Sequence, residues 1–357
     1  MKKLLGKIIL FSAPFFLLLA MELCLPIDYF TFRAWEALTV SWHHDRFSIC
    51  LPGPFYPDVK LTKIEEGDLG HHTPYAEKKL VTWETDTYGY RKKPKPGALP
   101  RIVIVGDSTI AGSGLTQEAT LSETLGSVLG VDVYPLAPAD MNVFLRDERF
   151  TGGPAEVVIL AAIERNIVLL PLLKPKEERY GPFLENRLIR RIAILLNRIR
   201  KMNMYYFVRA RRSQTPRHVY GGMLFWQGDE ANREIPKNQY EKAVRTIASY
   251  SELVKSRNMR FIFLPIPNKE NIYHDLLPSK EKPYFLDRLI ADLQQHGVEV
   301  IDTQSSFEEA REKGVPLYIS DDTHWNEEGV RLTAGLIARK AGVLRGNHVP
   351  SRDKSGV

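Results

Sequence analysis

Arg101-Ile102-Val103-Ile104-Val105-Gly106-Asp107-Ser108-Thr109 is the stretch that decides the fold. Four β-branched residues in a row, closed by a glycine, form a run of strand length with no polar residue to face water. A strand that is apolar on both sides is one covered on both sides. Working outward, 117–129 has helical spacing with Leu121, Leu125, Val128 and Leu129 on one side. Strands are predicted over 131–136, 156–162, 260–265 and 298–302, and helices over 240–257, 284–295 and 327–341. Short apolar strands alternating with helices predict an α/β protein with a central parallel sheet between helical layers. No internal repeat interrupts the pattern. In such a sheet ligands sit at the carboxyl ends of the strands, so the polar residues just after each strand are the candidates for chemistry.

Two groups of this kind stand out. Gly106-Asp107-Ser108-Thr109 follows the first strand, and Ser320-Asp321-Asp322-Thr323-His324-Trp325-Asn326 precedes the last helix, with Asn326 placed as its N-cap. A serine past a strand end exposes its hydroxyl at the sheet rim, where turn N–H groups suit a developing oxyanion. Serine is a poor nucleophile until a base removes its proton, and a histidine base needs an anion to hold its tautomer and stabilise the imidazolium. Taken singly, Gly-Asp-Ser also fits a phosphate-cradling turn, and a histidine ahead of a helix also fits a structural role. Together, in this chain order and both at strand ends, they point to Ser108 as nucleophile, His324 as general base and a neighbouring aspartate as its partner.

These blocks resemble those of the SGNH (GDSL-like) hydrolase superfamily. The Asp322-Thr323-His324-Trp325 form is similar to the AlgJ/AlgX-type alginate (polysaccharide) O-acetyltransferase group. Two further stretches add to the likeness. One is Phe261-Ile262-Phe263-Leu264-Pro265-Ile266-Pro267-Asn268-Lys269, followed by Ile272-Tyr273 and Leu277-Pro278; the other is the turn Asp86-Thr87-Tyr88-Gly89-Tyr90-Arg91. The resemblance spans roughly 80–345. It implies a flavodoxin-like three-layer α/β/α fold and acyl transfer through a covalent Ser108 ester, with no cofactor. Asp322 is implied as the partner of His324, and Asp321 is the fallback, since superfamily esterases place the aspartate three residues before the histidine. With a sugar hydroxyl as acceptor the enzyme is an O-acetyltransferase acting on an exported or cell-envelope polysaccharide; with water it is an esterase. A non-catalytic glycan-binding or assembly protein is the third alternative. A multi-spanning membrane acyltransferase is the implied acetyl donor.

The sequence departs from the superfamily at the oxyanion hole. The usual glycine after the second strand is replaced by Pro135-Leu136-Ala137-Pro138-Ala139. Asn166 is the expected counterpart of the superfamily's asparagine, alongside the Ser108 N–H, and Arg165 is a substitute by charge. A helix-start cluster is the plainer reading of both. Trp325 is expected either to fill space behind His324 or to stack on a sugar.

The N-terminus sets the location. Lys2, Lys3 and Lys7 precede an apolar run over 8–27 broken only by Ser12, Pro14 and Glu22, about the length needed to cross a bilayer. Lysines before it and none within predict a cytoplasmic N-terminus and an exported bulk. Met21-Glu22-Leu23-Cys24-Leu25 is a poor cleavage site, which favours an uncleaved signal-anchor over a signal peptide. A buried helix of a soluble protein is the remaining alternative. The expected organisation is an anchor over 1–27, a stalk or cap and linker over 28–98, a catalytic domain over 99–345 and a tail over 346–357. The catalytic domain is expected on the periplasmic side of the cytoplasmic membrane.

Composition limits the rest. The chain of 357 residues, 44% hydrophobic and 26% charged, is an ordinary globular one. Cys24 and Cys50 allow at most one bridge and no four-cysteine metal site. The pairs His43-His44 and His71-His72 diverge, so no metal is expected. The net charge of +6 is concentrated: 185–217 holds ten Lys and Arg against one acid, more than the whole chain's excess. A nucleic-acid binder spreads basic charge over its folded surface, so none is expected as partner. Within this segment, 184–201 reads as an amphipathic helix, packed on the core with a solvated charged face. The alternative is a cap gripping anionic lipid or an anionic polymer through Arg190, Arg191 and Arg198.

Overall fold

The computed structural model describes residues 2–40, 51, 53–93, 100–151, 155–174, 186–201, 217–226, 235–282 and 284–341. His43, His44, Cys50, most of the Pro/Gly linker after Lys93 and the 346–357 tail lie outside them. In chain order the elements begin with α1 (Lys2–Cys24), α2 (Ala34–Leu38), β1 (Lys60–Glu65), β2 (Lys79–Glu84) and β3 (Ile102–Val105). Then come α3 (Leu121–Leu129), β4 (Val133–Leu136), α4 (Met141–Arg146), α5 (Glu148–Thr151), β5 (Val157–Ile163), α6 (Glu164–Ile167) and α7 (Arg187–Lys201). They continue with β6 (Arg217–Tyr220), β7 (Met223–Trp226), α8 (Lys237–Lys255), β8 (Arg260–Ile266) and α9 (Lys269–Ile272). The last are α10 (Phe285–Gln295), β9 (Glu299–Val300), α11 (Thr303–Glu312) and α12 (Glu327–Ala341).

The central sheet has the order β4-β3-β5-β8-β9, with every neighbouring pair parallel. This is the flavodoxin-like order. Alternation along β3 and β5 sends Ile102, Ile104, Val157 and Ile159 to one face and Val103, Val105, Val158 and Leu160 to the other, and both sets are buried. Leu121 and Leu125 of α3, Phe307 of α11 and Val330, Ala334 and Ile337 of α12 cover the first face. Tyr240, Ile247 and Tyr250 of α8 and Leu286, Leu289 and Leu293 of α10 cover the second. Val128, expected on the inner side of its helix, is 56% exposed.

The region expected as a stalk or cap packs into the body. Ala34, Trp35, Leu38, Phe55, Val81 and Trp83 join the same core cluster as Ile102 and Ile104. β1 and β2 pair as an antiparallel hairpin, Lys60 opposite Glu84 and Glu65 opposite Lys79. Its irregular sequence hid a core contribution made by scattered aromatic residues. The turn over 86–91 forms as expected: Asp86 accepts hydrogen bonds from the Tyr88 and Tyr90 N–H groups, and Gly89 takes φ 76°. That turn delivers Arg91 inward. Its five N–H groups reach Gln117 Oε1 and the carbonyls of Thr82, Ala111, Gly112 and Leu115, at 2.5–3.2 Å. Burial draws this guanidinium down to a pKa of about 9, against the pull of Glu65, Glu118 and Glu123.

Among the described residues one helix is long and apolar enough to cross a membrane, over Gly6–Cys24. Leu10 is 72% and Phe11 81% exposed, so this helix is not buried against the rest of the protein.

Candidate active site

β3 ends at Val105, and the chain turns at Gly106, where a Cβ would lie 2.5 Å from Ile110 Cγ1. The turn leaves Ser108 half-buried at the carboxyl end of the sheet. From the other side comes the loop before α12. Its helix is capped as the sequence indicates, with Asn326 Oδ1 accepting from the Glu328 and Gly329 N–H groups. The two loops meet: Ser108 Oγ lies 2.9 Å from His324 Nε2, and His324 Nδ1 lies 2.5 Å from Asp322 Oδ1. The Asp322 carboxylate also accepts from the His324 N–H at 3.0 Å, which fixes the imidazole relative to its own backbone.

Asp321 does not take this place. Its Oδ2 accepts from the N–H groups of Gly67 and Glu77, and its carbonyl from those of Leu69 and Gly70. Gly67 and Gly70 pack so closely that a Cβ on either would fall 2.5 Å from the Asp321 side chain. Asp322 faces the histidine; Asp321 clamps the 67–77 segment.

That segment carries a residue not found by the sequence reading. Asp68 Oδ2 lies 3.9 Å from His324 Nδ1, and its backbone N–H donates to Asp322 Oδ2 at 3.1 Å. Its carboxylate accepts from the Thr323 N–H and Oγ1, both at 2.9 Å. Arg33 completes the group, with Nη1 4.0 Å from Asp322 Oδ2. Nothing in Glu66-Gly67-Asp68-Leu69 separates it from an ordinary polar turn.

The electrostatics follow from burial and these charges. Burial works to raise Asp322, but His324, its hydrogen bond, Arg33 and a hydrogen bond from Asp68 hold it well below the carboxylate range. Asp68 is pushed upward, first by burial and then by the Asp322 charge. Burial alone would lower His324; Asp322 and Asp68 outweigh it and raise the imidazole, with Arg33 opposing. Donor atoms of Asp68, Asp322 and His324 lie within 4.8 Å of one another. A metal there would have to displace the Asp322–His324 hydrogen bond, so this donor set fits a proton-handling pair better than a metal centre.

Lys269 sits beneath the histidine loop. Its Nζ donates to the carbonyls of Leu224, Ile319, Ser320 and Asp322 at 2.7–3.0 Å, fully buried. Burial lowers its pKa to about 8, against the raising effect of Glu270, Asp322, Asp68 and Asp321. The sequence reading quoted this lysine as part of a block without seeing its task. The hairpin of β6 and β7, also missed, docks on the same loop through Leu224 N–H to Ser320 O. Gly221-Gly222 at its turn, φ 55° and 79°, was the available signal.

The expected oxyanion groups come partly together. Asn166 Nδ2 lies 3.4 Å from Asp107 Oδ2, beside Ser108. The Ala139 N–H, in the stretch replacing the usual glycine, is taken by Gly106 O at 2.8 Å. The Arg165 guanidinium lies over the Trp226 ring, 5.3 Å from its centroid. Trp325 is 1% exposed in the core beneath the loop, so it fills space and presents no face to a sugar. His71 stacks on Phe32 at 4.1 Å.

Residues 222–353 match the family model of the SGNH hydrolase-like domain of the acetyltransferase AlgX. The match includes Lys269, Asp322 and His324; Ser108 lies outside it. No curated protein matches the chain. Similar solved structures include a member of the lipolytic G-D-S-L family from Veillonella parvula, 14% identical, covering 68% of this chain and 97% of that one, TM-score 0.38. Another is a lipase/acylhydrolase from Enterococcus faecalis, 12% identical, covering 68% and 95%, TM-score 0.35. A third is a variant acetyl-xylooligosaccharide esterase from Geobacillus Stearmophilus, 13% identical, covering 70% and 97%, TM-score 0.37. Over residues 222–353, somewhat over a third of its length, the chain is thus similar to the SGNH hydrolase-like domain of the acetyltransferase AlgX.

Proposed function

We propose that this protein is an O-acyltransferase that carries an acetyl group on Ser108 and passes it to a hydroxyl of an exported polysaccharide. The observation that supports it is the unbroken hydrogen-bond line from Ser108 Oγ through His324 to Asp322. Ser108 Oγ attacks the donor's carbonyl carbon while His324 Nε2 takes the hydroxyl proton. The tetrahedral oxyanion is held by the Ser108 N–H and, with a small rotation away from Asp107, by Asn166 Nδ2. Collapse breaks the donor's ester bond, and the imidazolium returns its proton to the leaving oxygen. A sugar hydroxyl then gives its proton to Nε2, attacks the acyl-serine and frees Ser108. Asp322 keeps the imidazole oriented and stabilises its charged form throughout. Asp68, Arg33 and Lys269 act as positioning residues through Asp322 and its loop.

The acceptor preference follows the Asp322-Thr323-His324-Trp325 likeness. The candidate span supports a chain held in the cytoplasmic membrane with its site on the periplasmic side, receiving acetyl from a multi-spanning acyltransferase. Full-length protein in lipid nanodiscs, given p-nitrophenyl acetate, should gain the mass of one acetyl group and turn over faster with an oligosaccharide acceptor. Ser108→Ala should lower the rate by at least about 10⁴-fold. Equal rates with and without sugar, with acetate as sole product, assign an esterase instead. A rate untouched by Ser108→Ala removes the acyl-serine altogether.

A further inference from the structure

Helix α7 is amphipathic, but its faces are reversed relative to a helix packed on a soluble core. Its inner side is largely polar: Asn197 is buried, Arg190 pairs with Asp58 at 2.8 Å, and Lys201 Nζ donates to the Ala37 carbonyl at 2.9 Å. Only small or partly buried apolar groups, Ala193 and Ile194, join the cluster of Val40 and Tyr56. The large apolar side chains face away. Leu188, Ile192, Leu195, Leu196 and Ile199 are 36–65% exposed. At about 100° per residue, Leu188, Ile192, Leu195 and Ile199 fall on one line, roughly 17 Å long at 1.5 Å per residue. The expectation of a core-packed helix with a solvated charged face is therefore corrected. Of the three arginines named for the alternative, a cap lying on anionic lipid or gripping an anionic polymer, Arg190 and Arg198 are engaged with the protein and Arg191 is exposed.

What lies against this stripe is indicated by its neighbour. Arg198 Nη2 donates to the carbonyls of Glu22 and Leu25, at 3.0 and 3.1 Å, where α1 ends. The helix is thus fastened to the end of the one segment long and apolar enough to span a bilayer, itself exposed along its length. Arg191, exposed, flanks the stripe on one side; Arg200, also exposed, flanks the other and donates through Nη2 to the Val40 carbonyl at 3.2 Å. An apolar line edged by arginines is the pattern of a helix lying in the plane of a membrane interface.

We propose that α7 lies flat in the lipid interface beside the exit of α1, with its Leu/Ile stripe among the acyl chains and Arg191 at the headgroup phosphates. The proposal rests on α1 spanning the membrane and is independent of the acyl-transfer chemistry. In full-length protein with Cys24 and Cys50 changed to Ser, Leu195→Cys would carry an environment-sensitive dye, with Gln295→Cys as a control. Gln295 is exposed at the end of α10, just ahead of β9. In vesicles of mixed phosphatidylcholine and phosphatidylglycerol, lipids bearing a shallow acyl-chain spin label should quench the 195 dye by about half and leave the 295 dye unchanged. Equal response at both sites overturns the proposal. So does a 195 dye that is buried in detergent and lipid alike but unquenched, since another part of the chain then covers the stripe. Quenching replaced by dependence on protein density assigns the face to a second copy, which also overturns it. Release of the unlabelled protein by alkaline carbonate would remove the anchor itself. Carbonate retention with an unquenched 195 dye removes only the role of α7.

Discussion

The sheet rim and the 53–93 region contribute to one site by different means. The rim, made of the 106–109 turn and the 319–326 loop, brings Ser108, His324 and Asp322 into one hydrogen-bonded line, the groups that exchange a proton in the proposed reaction. The 53–93 region adds no atom to that line, yet Asp68 sits beside it and Arg91 fastens the loop behind the serine. Asp321 and Asp322 mark the border, one turned to each region. Reacting groups and the groups that hold and tune them come from separate stretches of chain, and the second kind need not look like an active site in sequence.

The largest test of this division is Asp322 against Asp321. Asp322→Asn should cut acyl transfer by about 10³–10⁴-fold with the melting temperature little changed, because the imidazole loses its tautomer control and its counter-charge. Asp321→Asn leaves the His324 contact intact. It should instead destabilise the fold by about 1–3 kcal/mol, seen in thermal unfolding, with a small effect on turnover in the folded protein. Similar kinetic losses for both would erase the border.

Lys269→Met comes next. It leaves the carbonyls of Leu224, Ile319, Ser320 and Asp322 without their shared donor. A loss of about 3 kcal/mol in denaturant unfolding is expected, together with slower turnover in the protein that remains folded. Unchanged stability would show that the loop keeps its shape without the cation.

The smallest effect is a shift along the pH axis. His324 must be neutral to accept the serine proton, and its pKa is raised, so acyl transfer should fall as pH drops through a value above the ordinary imidazole range. Asp68→Asn removes one of the charges that raise it and keeps an oxygen acceptor for Thr323. The acid limb of the rate profile should move to lower pH, by roughly half a unit, with little change on its plateau. A limb that stays in place would make Asp68 a purely structural contact.

These contrasts also explain what was legible beforehand. β3, β5 and β8 are continuous apolar runs, and burial on both faces of a parallel sheet requires such runs, so local pattern and tertiary environment agree. Ser108 and His324 were readable because each follows or precedes an element with a clear end. Asp68 was not, since its role depends on the 67–77 segment folding back around Asp321, a contact 254 residues distant in sequence. Lys269 was visible as a residue but not as a staple: a lysine at a helix start ordinarily faces water. The packing of α7 was misread because periodicity shows that a helix has an apolar face without saying what covers it.

Arg91 carries a consequence for motion. Each of its N–H groups is already committed, to acceptors spread over β2, the 111–115 loop and Gln117, and none is left to trade with solvent. Opening the loop behind Ser108 would strip several of these contacts at once from a cation that water cannot easily reach. In the proposed reaction the hydroxyl would therefore be aimed before an acyl donor arrives, and any flexibility needed to admit a polymeric acceptor would have to come from other walls of the cleft.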